Sequence, residues 1–206
     1  MKTIKSMVLK MLGFFAVLTL LTGVLYPALI TGISNAVFPW QARGSILVGE
    51  DGTKYGSALV AQPFSDEKYL WGRVMNIDTE TFTDKDGNPL VYGWASNKSP
   101  AGEELEAMIA RRVADIRASQ PEKDGEPIPV DLVTCSGSGL DPEISPAAAE
   151  FQVSRIAAAR NISEDEVRSV IQQYTTGRTF GLFGEPSVNV LKVNLTLDGI
   201  KWKELS

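Results

Sequence analysis

Apolar residues are spread very unevenly along the chain. Residues 11–40, "MLGFFAVLTLLTGVLYPALITGISNAVFPW", are almost wholly apolar, and no charged side chain occurs between Lys10 and Arg43. A membrane-spanning helix needs about 20 such residues, and this run exceeds that. Gly13, Gly23 and Pro27 are tolerable inside such a helix, and Trp40 stands where an interfacial aromatic would sit. A cleaved signal peptide would carry only about 7–15 apolar residues and an Ala-x-Ala-like site. The run is longer, shows no clean site of that kind, and has no cysteine near its end for a lipid anchor. The pattern therefore predicts a short N-terminus over 1–10, an uncleaved transmembrane helix over 11–38 and an extramembrane domain over 39–206.

Beyond the run the periodicity changes. "GSILV" and "GSALVAQ" read as short strands, and Asp86-Gly87-Asn88-Pro89 marks a turn in a polar stretch over 76–99. Leu105, Met108, Ile109, Val113 and Ile116 recur at helical spacing, with Arg111, Arg112 and Arg117 mostly turned away. Pro121, Gly125, Pro127 and Pro129 end that helix. A second is predicted from Pro146 to Arg160, capped by Ser145 and closed by Asn161. A third opens on the capping box Ser163…Glu166, buries Val167, Val170, Ile171 and Tyr174, and stops at Gly177. The tail "PSVNVLKVNLTLDGIKW" alternates, with one shift of phase, and reads as a bulged strand, the best in the chain. The fold class is α+β: one N-terminal transmembrane helix, then a mixed domain with helices on a small sheet.

Charge adds direction. The 206-residue chain carries a net charge of −5, yet every acidic residue lies at or after Glu50. From Arg43 onward 17 basic residues face 25 acidic ones, a balance of −8. Such a domain is a poor partner for nucleic acid, whose binding rests on basic patches. Lys2, Lys5 and Lys10 precede the apolar run, against Arg43 and Lys54 after it. The lysine-rich side stays in the cytoplasm, which predicts that the domain faces outside.

The chemistry is sparse. There is no histidine, which removes Ser-His-Asp and Cys-His catalysis and the usual zinc ligand. The single cysteine, Cys135, excludes an internal disulfide and reads as a small buried residue. The most suggestive stretch is "DLVTCSGSGLDPEISPAAAE", residues 131–150. It reads as a strand at Leu132 and Val133, a small-residue turn at Ser136, Gly137, Ser138 and Gly139, then a helix. That order holds phosphate or exposes a nucleophile in many proteins. The Gly-x-Ser-x-Gly elbow fails because Ser136 stands where its first glycine belongs, and no Gly-Lys-Ser/Thr follows. The turn stays open as a partner or nucleotide contact, together with Asp141. Asp131, Asp141 and Glu143 form either an acidic cation site or a turn and a helix start. Arg73 in "YLWGR" and Arg178 in "TTGRTFG" are candidate partner contacts, or bond loop carbonyls. The acceptor patterns at Asn161 and Asn194 fall inside predicted elements. No residue set marks a catalytic or metal site.

Several stretches together carry a resemblance: "GVLYPALITGISNAVFPWQARGS", "GSALVAQPF", "YLWGR", "PVDLVTCSGSGLDPEISPAAAEFQVSRIAAARNIS" and "GEPSVNVLKVNLTLD". With them the chain is similar, over nearly its whole length, to the C subunits of bacterial Kdp potassium-transporting ATPases. It departs from them at Val74-Met75, where Pro-Ser often follows Gly-Arg, and at 95–100, where a Ser-Gly-Gly-Ser-Asn stretch is common. The resemblance implies a non-catalytic accessory subunit of an ATP-driven potassium importer in the bacterial inner membrane. Its partners would be a channel-like potassium-binding subunit, an ATP-hydrolysing P-type subunit and membrane lipid. Mg-ATP and K+ are then handled by the complex, with no cofactor of the subunit's own. For such subunits the resemblance implies a need in assembly and a catalytic-chaperone role that raises the pump subunit's affinity for ATP. ATP is cytosolic, so a domain outside would not share the pump's nucleotide. That conflict favours a cap over the outer potassium entrance. The alternative is a stand-alone anchored binding domain for an extracytoplasmic small molecule; a tethered hydrolase is disfavoured by the missing histidine and nucleophile motif.

Overall fold

A computed structural model describes residues 2–90 and 92–204. The side chain of Lys2, one of the three lysines before the apolar run, lies outside what is described. Two compact units result: Met1–Ile46 with Glu204–Ser206, and Leu47–Lys203.

The first unit is helical. Helix α1 (Lys2–Leu20) passes through a π-turn at Leu21–Leu25 into α2 (Tyr26–Val37), and a short α3 (Pro39–Ala42) follows. The π-turn has a local cause. Pro27 lacks an N–H, and its ring would clash with the carbonyl of Gly23 in a regular helix. Widening the preceding turn, with the Tyr26 N–H donating to the Leu21 carbonyl, relieves that crowding. Ile4–Val37 is long and apolar enough to cross a membrane. Its 34 residues span about 51 Å, against a hydrocarbon thickness of about 30 Å. The excess length is enough for Lys5 and Lys10, near its N-terminal end, to reach the headgroups.

The second unit is α+β, as the pattern predicts. Its strands are β1 (Ile46–Gly49), β2 (Lys54–Ser57), β3 (Ile77–Asp78), β4 (Tyr92–Gly93), β5 (Glu143–Ile144), β6 (Thr175–Thr176), β7 (Ser187–Asn189) and β8 (Trp202–Glu204). They form small sheets in the orders β2-β1-β8, β3-β4 and β5-β7-β6. The last is antiparallel, with Ile144 and Thr175 both opposite Val188. Its helices are α4 (Glu103–Ser119), α5 (Pro146–Phe151), α6 (Val153–Arg160), α7 (Glu164–Gln173) and α8 (Val190–Leu197). One core joins them through Leu70, Trp71, Ile116, Leu132, Ile156, Val167, Val188 and Val193.

Several local expectations hold. Ser145 caps α5, Asn161 ends α6 with left-handed backbone, and Ser163 and Glu166 form the reciprocal capping box of α7. Others change. The tail is not one strand. It is β7 followed by α8, because the Asn189 side chain accepts from the Lys192 N–H and starts a helix. Leu191, Asn194 and Leu195 then fall on a buried helical face. The predicted helix over 146–160 breaks at Gln152. "GSALVAQ" is a strand only as far as Ser57. Leu132 ends a 3-10 turn begun at Val130, not a strand. Arg112 lies on the packed side of α4, where its Nε donates to the Leu132 carbonyl at 2.9 Å and its guanidinium covers Trp71. Burial holds its pKa below the ordinary value.

Most of these corrections trace to one segment outside any sheet, Glu67–Trp71, which leaves a turn at Asp66–Tyr69 and enters the core at Leu70. Asn194 pairs with both backbone groups of Leu70, at 2.7 and 2.9 Å. Gln152 pairs with both of Trp71, at 2.8 and 3.1 Å. Arg155 donates to the carbonyls of Glu67 and Tyr69 and stacks 4.1 Å from the Trp71 ring centroid. Arg160 donates to the Lys68 carbonyl at 2.7 Å. Two amide side chains thus do for this segment what neighbouring strands do in a sheet. Asn194→Leu fills the same space but orphans a buried N–H and a buried C=O. At about 1–3 kcal/mol each, it should cost roughly 2–6 kcal/mol in chemical denaturation of the full chain in detergent; a loss under about 0.5 kcal/mol would refute the clamp.

The capping box sets an acid limit. The Ser163 N–H, and after it the Ser163 hydroxyl, hold the Glu166 carboxyl below its ordinary value of 4.5. A lowered carboxyl pKa stabilises above the unfolded value and ceases to do so as pH falls through the folded value. Glu166→Gln should therefore lose stability at pH 7 and show a shallower fall below about pH 4.5, read by melting temperature against pH.

Candidate functional site

The turn that the sequence singles out is built around a close approach. Gly139 is buried at φ 74, and a Cβ there would lie 2.3 Å from the Trp94 carbonyl oxygen and 2.9 Å from that of Asn76. Its own carbonyl accepts from the Asn76 N–H at 3.1 Å. Asn76 Nδ2 donates to the Trp94 carbonyl at 3.0 Å, and Val74 bridges Cys135 in parallel. The glycine lets three backbone strands meet where any side chain would hold them apart.

The hydroxyls of the turn close on their own backbone. Ser136 Oγ accepts from the Gly139 N–H at 3.1 Å, Ser138 Oγ accepts from the Leu140 N–H at 3.2 Å, and the two oxygens lie 3.2 Å apart. These are short-range side-chain turns. Strand β5, not a helix, comes next, and at the N-terminus of α5 Ser145 Oγ accepts from the Ala148 N–H. The expected order of strand, turn and helix therefore does not form, and with it goes the phosphate-binding geometry that order supplies. Cys135 is half-buried, not fully buried, and its thiol donates to the Ser136 carbonyl.

Arg73 and Asp141 join this turn. Arg73 Nη1 pairs with Asp131 Oδ1 at 3.2 Å, and Arg73 Nε stands 4.0 Å from Asp141 Oδ2, buried without a hydrogen bond. Asp131 Oδ2 accepts from the Ser145 N–H at 2.8 Å, and Asp141 Oδ1 from the Glu143 N–H at 3.0 Å. Asp131 and Asp141 thus serve an arginine and two backbone donors; the expected turn at Asp141 forms, whereas Glu143 lies in β5 rather than at a helix start. A shallow cleft of about 250 Å³ opens beside Arg73, lined also by Gln62, Phe64, Ser65 and Arg112. Both of its guanidinium groups already have partners within the chain.

Arg178 is elsewhere, on the long loop between β6 and β7. Its Nη2 bonds both carboxylate oxygens of Glu185, at 2.8 and 2.6 Å. The sequence reading passed over the residues between them: Phe180, Leu182 and Phe183 are 89%, 74% and 68% exposed. Three large apolar residues crowded among Gly177, Gly181 and Gly184, in a stretch too glycine-rich to be an element, were the available signal. The sequence reading also missed Asn194, Gln152 and Arg155, whose roles need a segment over 80 residues away to be visible.

A helix long and apolar enough to cross a membrane, followed by a small α+β unit, is the build of a membrane-associated protein. Comparison with known proteins names the family. The model of the K+-transporting ATPase c chain, KdpC, matches residues 8–199. The potassium-transporting ATPase KdpC subunit of Clostridium botulinum (strain Eklund 17B / Type B) is 54% identical over 200 residues, covering 97% of this chain and 99% of the relative. That of Clostridium perfringens is 54% identical over 200 residues, covering 97% and 98%. That of Methylibium petroleiphilum is 47% identical over 195 residues, covering 95% and 98%. The chain belongs to the KdpC family.

Gly139→Ala should cost about 1–3 kcal/mol, from strain and the clash with two carbonyl oxygens. Ser138→Ala, which removes only a local turn bond, should cost less than about 1 kcal/mol. Denaturation midpoints of the two variants check the contrast.

Proposed function

We propose that this chain is a non-catalytic accessory subunit of an ATP-driven potassium uptake complex. It is anchored by one helix in the bacterial inner membrane, with the lysine-bearing N-terminus in the cytoplasm and the acidic domain outside. There it holds a channel-like potassium-binding subunit and an ATP-hydrolysing P-type subunit together and covers the outer potassium entrance. The observation that carries this reading is the family match over residues 8–199. The closed turn at Ser136–Gly139 supports it: a domain whose best phosphate-like turn is spent on its own backbone acts by docking rather than by cradling nucleotide. Any rise in the pump's affinity for ATP then travels through assembly. The −8 balance from Arg43 onward adds a modest attraction for cations at the entrance, screened beyond about 8 Å in physiological salt.

Sidedness is the test. Lys85 is exposed in the turn ending at Asn88. Lys85→Cys in a Cys135→Ser background, within the assembled complex, should react with a thiol reagent that does not cross the inner membrane. Reaction only after that membrane is lysed would place the domain in the cytoplasm and defeat the entrance-cap reading.

A further inference from the structure

The hairpin between β6 and β7 displays hydrophobic side chains that the fold itself does not use. Thr179 and Phe183 exchange backbone bonds at 2.8 and 3.0 Å, so the loop is a defined hairpin to its tip. Phe180 (φ 54) and Gly181 (φ 74) follow one another with left-handed backbone, closed by the Leu182 N–H on the Thr179 carbonyl at 3.1 Å. Consecutive left-handed residues favour Asn-Gly, and a bulky aromatic there is strained. Phe180 nevertheless occupies the position while 89% exposed, so no packing within the chain repays the strain. Local turn chemistry and residue choice disagree, which is the mark of a position set by function.

We infer that the tip Phe180–Gly181–Leu182–Phe183 is a preformed apolar knob that docks into an uncharged pocket on a folded protein subunit of the same complex. The inference rests on the accessory-subunit reading. Three features favour a protein pocket over lipid. The two-oxygen Arg178–Glu185 clasp pairs the two charged residues that flank the tip in the sequence. An anionic lipid surface is instead sought with free lysines or arginines. The acidic excess of the domain opposes approach to such a surface. Finally, a bilayer makes no demand on shape, whereas a strained, bonded turn presents three side chains in one fixed arrangement, as an anchor in a protein pocket requires.

The experiment co-expresses the full-length, tagged chain with the other subunits of its transporter. Phe180→Asn suits the turn, so its melting temperature should match or exceed that of the parent chain. Recovery of the other subunits should fall at least tenfold, as for loss of an interface anchor; Phe180→Leu should keep most of it. Parental recovery by a folded Phe180→Asn/Leu182→Ser chain would overturn the knob and leave the accessory reading intact. Failure of the parent chain to recover them would overturn the accessory reading itself. A second arm places an environment-sensitive fluorophore on Phe180→Cys in the Cys135→Ser background, in lipid nanodiscs. A blue shift only with the other subunits present supports the knob. A blue shift in the lone chain assigns the tip to lipid, and no shift in either case assigns it to water; both overturn the proposal.

Discussion

The domain depends on how one buried segment outside any sheet is hydrogen-bonded. Leu70 and Trp71 lie in the centre of the core, and their backbone groups have no strand beside them. A buried backbone group left unpaired costs about as much as several favourable contacts return. Asn194 on α8 and Gln152 at the break before α6 supply the missing donors and acceptors from opposite sides. That need explains why α8 is a helix in a sequence that alternates like a strand: only helical spacing brings Asn194 inward together with Val190, Leu191 and Val193. It also explains why the ladder of the predicted long helix gives way at Gln152, whose side chain reaches across to Trp71. The same segment draws in Arg155. Its guanidinium is desolvated enough for burial to bring its pKa down to about 10, and it is held by carbonyl oxygens and the face of Trp71 rather than by a carboxylate contact.

What the sequence made legible, and what it hid, follows from the range of each interaction. Ser145, Asn161 and the Ser163–Glu166 box act within four residues, and all three are readable without a structure. The apolar run over 11–40 is readable because the bilayer sets its length. Arg112 was misread because periodicity treats every arginine as solvent-facing, whereas an aromatic ring and an orphan carbonyl give this one a reason to turn inward. The β7–α8 junction was misread because "SVNVLKVNL" satisfies a two-residue and a near-helical period at once, and Asn189 decides between them through a cap. At the candidate site, the grouping of Arg73 with Asp141 and the turn was not foreseen, since 68 residues separate the two side chains.

The turn at Ser136–Gly139 shows how a small-residue motif misleads. Glycine and serine are what a phosphate cradle needs, and equally what a crossing of three backbone strands needs. The two cases differ in where the N–H groups point. In this fold the Gly139 and Leu140 N–H groups turn back onto serine hydroxyls, and the Gly139 carbonyl is taken by Asn76. A turn with its polar groups so engaged fixes geometry; it holds the 74–76 and 94–95 backbones against the core, and with them the arm that carries Phe82, Tyr92 and Trp94.

Two aromatic features stand among the exposed apolar side chains described for this domain, and strain separates them. In the arm, Phe82, Tyr92 and Trp94 stack on one another with centroids 5.4 and 5.5 Å apart, so each ring gains contact from its neighbours. Their exposure is partly repaid inside the chain. The Phe180 tip has no such repayment: its backbone is held left-handed and its ring is nearly free of the protein. A subunit that works by docking needs at least one surface whose cost is recovered only in the complex, and among the described residues this tip meets that condition most fully.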